Sequence, residues 1–117
     1  MPEEWVRQHL LHYLVFDKQF PAGLIKVEHY LKINKQRRFT DITVFNTDGN
    51  PLLIVESKSF KIKIDESTFA QIAAYSLKAK AKYFVLSNGL KHFVYQLHID
   101  TGESEFLNDI PDYHLIK

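Results

Sequence analysis

Apolar residues recur along this chain at two spacings, one typical of helices and one typical of strands. A helical stripe follows the acidic start Glu3-Glu4, so a first helix is predicted over about residues 2–16. The stripe consists of Val6, Leu10, Tyr13 and Leu14. A second helix, capped by Asp65-Glu66-Ser67-Thr68, is predicted to reach about Lys80.

Segments rich in β-branched and aromatic residues predict the strands. They are 24–33, 38–46, a run beginning at Pro51, 83–87 and 91–99, with one short strand around Glu105-Phe106. Asp48-Gly49 predicts a tight hairpin turn between the second and third strands. The fourth strand follows the second helix, so it should lie parallel to the third through a right-handed crossover. The order α-β-β-β-α-β-β predicts an α/β fold around a mixed sheet, with residues 1–117 as a single domain.

Side-chain periodicity assigns faces to these elements. Because strand residues alternate, Ile42 and Val44 should face one side of the sheet and Asp41 the other. The third strand, with its short apolar run Leu52–Val55, should lie near the middle of the sheet. On the second helix, Phe69, Ile72, Ala73 and Ser76 share one face. Gln71, Tyr75 and Lys78 share another, and for Gln71 and Tyr75 the pattern alone favours an ordinary solvated helix face.

Composition narrows the class of protein. The chain has 117 residues, 45% hydrophobic and 25% charged, which is ordinary for a globular protein. No apolar run approaches the roughly 18 residues of a transmembrane helix, and the acidic first residues do not resemble a signal peptide. Cysteine is absent, which agrees with a cytoplasmic location and leaves no thiolate metal site.

Charge is segregated along the chain although the formal net charge is only +1. Residues 26–91 hold 12 Lys or Arg against 6 Asp or Glu, whereas residues 92–117 hold 1 against 5. A basic centre favours a polyanionic partner, although the same lysines also suit a solvated surface. Candidate contacts to phosphates are Lys35, Arg37, Arg38, Lys61 and Lys63.

Two acids and a lysine interrupt the apolar strands where ionic groups are costly to bury. Glu56 and Lys58 close the third strand and share one face, about 6.6 Å apart. Asp41 lies inside the preceding strand. Carboxylates on neighbouring strands beside a lysine suggest a metal site with an attached base. The alternative is a structural cluster of a lysine with two carboxylates at a strand edge.

Taken together, these residues resemble the PD-(D/E)xK nuclease superfamily, and more narrowly the N-terminal nuclease domain of type I restriction enzyme R subunits. The resemblance covers almost the whole chain and implies a restriction-endonuclease-like αβββαβ core. It rests on Pro2–Arg7, Arg38–Ile42, Leu53–Lys58, Gln71-x-x-x-Tyr75 and Tyr83–Gly89. Thr40 stands where the superfamily name has proline.

The resemblance implies a role for each matching position. Asp41, Glu56 and the carbonyl of Ser57 would bind Mg²⁺, with Mn²⁺ as a substitute, and Lys58 would orient or deprotonate the attacking water. Gln71 and Tyr75 would lie beside the catalytic residues. Glu4, or less favourably Glu3, would add a metal contact, although either acid also suits the positive end of a helix dipole.

The implied activity is magnesium-dependent endonuclease cleavage of DNA. The domain would act either alone, as a monomer or a homodimer, or beside helicase-motor and specificity or methylation subunits. The alternative is a non-catalytic nucleic-acid-binding or interaction module that keeps the nuclease fold. The complete Asp…Glu-x-Lys set favours the enzyme. The chain has no G-x-x-x-x-G-K-[ST] phosphate loop of a motor. His9 and His12 are three residues apart on one helix, but no third zinc ligand is apparent in the sequence.

Overall fold

The computed structural model describes residues 3–33, 36–57, 66–87 and 91–117. Helices α1, α2 and α3 span Glu3–His12, Glu66–Lys78 and Tyr113–Ile116. Strands β1 to β6 span Ile25–Ile33, Gln36–Phe45, Pro51–Ser57, Tyr83–Ser87, His92–Leu97 and Ser104–Leu107. The αβββαβ order that the sequence predicts is therefore confirmed, and β5 and β6 extend it.

The six strands form one mixed sheet in the order β1-β2-β3-β4-β5-β6. Strands β3 and β4 are parallel, as their connection through α2 requires, and the other neighbouring pairs are antiparallel. The predicted central position of β3 is confirmed. It is nearly covered on both sides, since Leu52, Leu53, Ile54 and Val55 are all buried.

Helix α1 covers one face of the sheet. Val6 and Leu10 of α1 are buried, as is Leu14 in the turn that follows the helix. They belong to a cluster with sheet residues Ile42, Val44, Leu53, Val55, Val85 and Val94. The stripe predicted for the first helix is thus the surface that packs on the sheet. The helix ends in a π-helical turn, Tyr13–Asp17, after which Gln19 adopts a left-handed backbone with φ 64°.

Helix α2 covers the other face. Ile72 packs with Phe84, Leu86 and Leu97, and Phe69 adds its ring to that cluster. The ring of Phe84 stacks on Tyr95, with centroids 4.9 Å apart. Stacked rings contribute to stability beyond the apolar area that they bury.

The β2–β3 hairpin turns at the predicted Asp-Gly pair. Gly49 has φ +86°, a conformation that side chains other than glycine rarely adopt. Asn46 closes the loop, since its Oδ1 accepts hydrogen bonds from the amides of Asp48 and Asn50, each at 3.0 Å. This turn sets the register in which Ile42 pairs with Val55.

Two features differ from the sequence-based expectations. Tyr75 is only 8% exposed and packs with Ile54 and Ala81, so the solvated face that the pattern alone favours for it is wrong. The reason is that Tyr75 is only about 60° around the helix from buried Ile72, so the buried sector of α2 extends to it. Helix α3 was not predicted. Across the described residues, no helix combines the length and apolar character needed to cross a membrane.

Candidate active site

Asp41 is a buried carboxylate at the boundary between β2 and β3. It is 6% exposed, and its Oδ2 accepts a hydrogen bond of 2.8 Å from the backbone amide of Ser57. A hydrogen bond to a charged acceptor is stronger than one between neutral groups, so this contact fixes the orientation of the carboxylate. The acid of β2 is thereby connected to the end of β3, where the sequence predicts the remaining site residues.

Arg7 on α1 approaches the same carboxylate from the helix layer. Its guanidinium nitrogen Nη1 lies 3.8 Å from Asp41 Oδ1, and its side chain is 14% exposed. Its other terminal nitrogen, Nη2, donates to Glu4 Oε2. Glu4 also accepts a hydrogen bond of 3.0 Å from Gln8. Glu4, which the sequence links to the metal, is thus connected to Asp41 through Arg7.

Arg7 has no predicted role of its own, although the sequence contains a signal for one. Arg7 is three residues after Glu4, the spacing at which helix side chains meet. It also borders the buried stripe that begins at Val6 and continues to Leu10. An arginine at the edge of an apolar helix stripe is well placed to reach a polar group on the underlying sheet.

Glu56 and Ser57 occupy the last two positions of β3. Glu56 is partly buried, Ser57 is fully buried, and they pair with Leu86 and Ser87 of β4. Within the described residues, the Ser57 hydroxyl makes no hydrogen bond. Its backbone amide, by contrast, holds Asp41. Ser57 therefore acts on the predicted site through its main chain.

Among the described residues, no three Asp, Glu, His or Cys side chains come together closely enough to hold a metal ion. The oxygen donors brought to this sheet end are two carboxylates, Asp41 and Glu56, and the main chain of Ser57. This donor set matches the chemistry of Mg²⁺, which commonly binds one or two carboxylates and retains several waters. It does not match the closed nitrogen and sulfur sites that hold structural zinc.

The two α2 positions of the Gln-x-x-x-Tyr motif differ in their surroundings. Gln71 is exposed, whereas Tyr75 is buried against Ile54 of β3. Tyr75 is therefore beneath the strand that carries Glu56, on the face of the sheet that α2 covers. The structure brings Tyr75 to the candidate site's strand and leaves Gln71 at the helix surface.

Several predicted positions lie outside the described residues. They are Lys35, Lys58, Lys61 and Lys63. Arg37 and Arg38 belong to β2, where they pair with Lys32 and Leu31 of β1. Lys32 and Arg37 are thus direct cross-strand partners, so the β1–β2 hairpin brings basic positions together at its far end.

The described architecture is similar to two solved structures. A fragment of a "putative HsdR subunit of a type I restriction enzyme" from Vibrio vulnificus YJ016 has a TM-score of 0.68 at 15% identity, covering 99% of this chain. The chain spans 24% of the length of that Vibrio protein chain. A "putative nuclease belonging to DUF820" from Anabaena variabilis ATCC 29413 has a TM-score of 0.59 at 15% identity, covering 93% of this chain and 69% of that one. At such identities these likenesses show a shared fold.

No curated protein matches the chain. The family described as "Type I restriction enzyme R protein N terminus (HSDR_N)" matches residues 2–111, nearly the full length. That span includes α1 with Arg7, the β2–β3 hairpin with Asp41 and Glu56, and α2 with Tyr75. The chain belongs to this family of type I restriction enzyme R protein N-terminal domains.

Proposed function

We propose that this domain is a magnesium-dependent DNA endonuclease that hydrolyses phosphodiester bonds for a type I restriction system. The observation that carries the proposal is the hydrogen bond between Asp41 and the Ser57 amide. It joins a buried acid on β2 to the strand end that carries Glu56 and leads to Lys58. Membership of the R-protein family supports the same function.

Asp41, Glu56 and the Ser57 carbonyl would hold the ion, and Asp41 is oriented for this role before any ion arrives. Bound Mg²⁺ would polarise the scissile phosphate and lower the pKa of a coordinated water. Burial of Asp41 strengthens its attraction for a cation because the surrounding dielectric is low. Lys58 would orient or deprotonate the attacking water and stabilise the charge that develops on the phosphate.

Arg7 would compensate the acid cluster in the absence of an ion. Its guanidinium lies between Glu4 and Asp41, so it offsets the repulsion among carboxylates that converge on one place. When a cation or a phosphate arrives, the same group can turn toward the phosphate, for which its planar fork is well suited. Arg7 thus belongs to the proposed site as a positioning residue.

DNA as the substrate is supported by the basic centre of the chain. Lys32 and Arg37 are direct partners across β1 and β2. Like charges on directly opposed strand positions are destabilising. Basic residues at these paired positions would favour an anionic backbone along the two strands, and such binding would be independent of sequence and weakened by salt.

The second candidate is a non-catalytic nucleic-acid-binding module that retains the fold. The contact between Arg7 and Asp41 favours it, because an arginine already neutralises the acid that the enzyme would need for metal. The two candidates differ in one respect that can be measured: only the nuclease requires Lys58 and a divalent ion.

The test is nicking of supercoiled plasmid in Mg²⁺ and in Mn²⁺, with the natural chain beside Lys58→Ala. A matched control is Lys82→Ala, which removes an exposed lysine elsewhere. The nuclease predicts metal-dependent nicking that falls at least about 100-fold in Lys58→Ala, the equivalent of about 3 kcal/mol, and persists in the control. Equal nicking by both variants, or DNA binding with no nicking in either metal, would reject the enzyme.

A further inference from the structure

A second site with polar side chains lies on the α1 side of the sheet, separate from the acidic site formed by Asp41 of β2 and Glu56 at the end of β3. It is a cavity of about 230 Å³. Its lining comes from α1, β5 and the segment that follows β6: His9, Leu10, Tyr13, His92, Asp109 and Ile110. Small-molecule pockets that enclose drug-sized ligands usually measure about 300–1,000 Å³. The occupant must therefore be smaller, of the size of one or two rings.

Charge inside the cavity is balanced. Asp109 accepts a hydrogen bond of 2.7 Å from the Tyr13 hydroxyl and lies 3.2 Å from the ammonium of Lys18. Despite the opposing effect of burial, these partners and the Ile110 amide lower the pKa of Asp109. The same pairing outweighs burial and raises the pKa of Lys18. The acid and the ammonium are therefore both ionised near neutral pH and offset each other.

The histidine on β5 adds no net charge near neutral pH. Burial lowers the pKa of His92, proximity to His9 lowers it further, and Asp109 only partly opposes these effects. His92 Nδ1 lies 2.7 Å from Ser87 Oγ, a hydrogen bond that fixes the ring's orientation. Among the described residues no hydrogen bond to its Nε2 is seen, so this nitrogen would be the one to meet a ligand. The site thus suits an uncharged molecule with hydrogen-bonding edges better than an anion or a metal cation.

Flat rings dominate one wall of the cavity. His9 stacks on Trp5 with ring centroids 5.3 Å apart and planes within 4° of parallel. Trp5 is 49% exposed and lies outside the lining of the cavity. The rings that line it are those of His9, Tyr13 and His92, and aromatic and histidine rings are the side chains on which bases commonly stack. The aliphatic side chains of Leu10 and Ile110 complete an apolar floor.

We propose that this cavity binds a single nucleobase. Balanced charge, ring-lined walls and a volume too small for a larger ligand all match an uncharged aromatic heterocycle. The sheet also connects the cavity to the acidic site: Ser57 pairs with Ser87, and Ser87 pairs with His92. Two strand spacings separate Ser57 from His92, about 10 Å. An unpaired base close to the scissile phosphate would reach the cavity, a link that rests on the proposed nuclease function.

The single tryptophan of the chain makes the test direct, since Trp5 stacks on a residue that lines the cavity. Its fluorescence, corrected for absorption by the ligand, is titrated with the four nucleosides, a single-stranded oligonucleotide and an abasic oligomer of equal length. All titrations contain a chelator and no divalent metal. Two variants, His92→Ala and His92→Gln, each remove the imidazole ring. Unfolding curves check that both are folded. The matched control is His98→Ala, an exposed histidine just beyond β5.

Saturable binding of a nucleoside, weakened about tenfold by loss of the His92 ring and unchanged in His98→Ala, would show that the cavity takes a free base. Binding of the single strand but not of the abasic oligomer, with the same dependence on His92, would show that the base comes from a nucleic acid. No saturable response, an equal response to the abasic oligomer, or equal affinities in folded His92 and His98 variants would overturn the proposal. Because no metal is present, failure here leaves the nuclease test unaffected, and failure of plasmid nicking leaves this result unaffected.

Discussion

The acidic site around Asp41 and the ring-lined cavity handle a carboxylate in different ways. In the cavity, Asp109 accepts a hydrogen bond from Tyr13 and is offset by the ammonium of Lys18. At the strand ends, Asp41 is held by a neutral backbone amide, with Arg7 at a longer distance of 3.8 Å. A carboxylate oriented mainly by an amide retains its attraction for a cation, whereas one paired with an ammonium has largely lost it. On the proposals made above, the site around Asp41 would therefore take a metal ion and the cavity an uncharged ring.

The largest expected effect is on nicking by variants of Asp41. Two variants separate the role of its charge from the role of its hydrogen bond with the Ser57 amide. Asp41→Asn keeps an oxygen that can accept from the Ser57 amide but removes the charge. Asp41→Leu removes both. Nicking should fall at least about 100-fold in both variants, because each lacks the charge with which Asp41 would hold the proposed metal ion. Urea unfolding should show that Leu costs about 1–3 kcal/mol more than Asn, because it leaves a buried amide without an acceptor.

Asp48→Asn is the control for these variants, since Asp48 is an exposed acid in the hairpin turn. It should change neither nicking nor stability by a measurable amount. If Asp41→Asn cleaved like the natural chain, the acid would have only a structural role. If Leu and Asn were equally stable, the hydrogen bond to Ser57 would contribute nothing to the fold.

The next effect concerns Arg7. Arg7→Gln removes a cation close to Asp41, so Mn²⁺ should bind about tenfold more tightly, a gain of about 1.4 kcal/mol. The metal-free protein should melt at a lower temperature, because the acids around Glu4 lose their compensating charge. Calorimetric titration and thermal unfolding measure the two effects. Lys82→Gln, which removes an exposed charge elsewhere, should change neither. Weaker Mn²⁺ binding by Arg7→Gln would show that Arg7 supports the metal site instead of competing with the ion.

A smaller, pH-dependent effect is expected at Asp109. Its folded pKa is below the usual 3.8, so its stabilising contribution is present above that pH and is lost as the pH falls through the folded pKa. Because its side chain is 56% exposed, Asp109→Asn should cost only about 0.5–1 kcal/mol near neutral pH. Unfolding free energies measured at a series of pH values should converge for variant and natural chain in strong acid. Asp100→Asn, in an exposed turn, should show no such difference at any pH. A constant gap down to strong acid would contradict the pairing.

The smallest effect is expected at Ser57, which contributes through its main chain. Within the described residues its buried hydroxyl makes no hydrogen bond, so Ser57→Ala should change stability by less than about 0.5 kcal/mol. Nicking should stay within about twofold of the natural rate. A loss of tenfold or more would assign the hydroxyl a direct role and would contradict the account of this position.

The sequence predicted the strands well because their apolar runs and turns are local signals. Tyr83–Ser87 was located at its observed bounds, and Asp48-Gly49 marked the hairpin correctly. Helix α3 was missed because its four residues lie in a weakly patterned acidic segment and depend on a long-range contact, the hydrogen bond from the Tyr113 amide to the Lys18 carbonyl. The pattern alone favoured a solvated face for Tyr75, which is wrong because helical spacing does not reveal how wide a sector of α2 the sheet covers.

The acidic site and the cavity also differ in how far the sequence alone predicts them. Asp41 and Glu56 lie on consecutive strands, and Lys58 follows Glu56 at a recognisable spacing in the sequence, so the sequence alone predicts an acidic site here. The cavity draws on His9, Tyr13, His92 and Asp109, which are up to 100 positions apart in the chain. Only the packing of α1 and the segment after β6 against β5 brings them together. Charge balance in the cavity depends on Lys18, whose role also emerges only from the fold.

The most direct test of this account is the binding of Mn²⁺, measured by calorimetry without nucleic acid, to the natural chain, Asp41→Asn and His92→Ala. The account predicts one site in the natural chain, retained in His92→Ala and lost or weakened at least about 100-fold in Asp41→Asn. Binding that survives in Asp41→Asn but disappears in His92→Ala would contradict it, because the ion would then occupy the cavity and not the acidic strand ends.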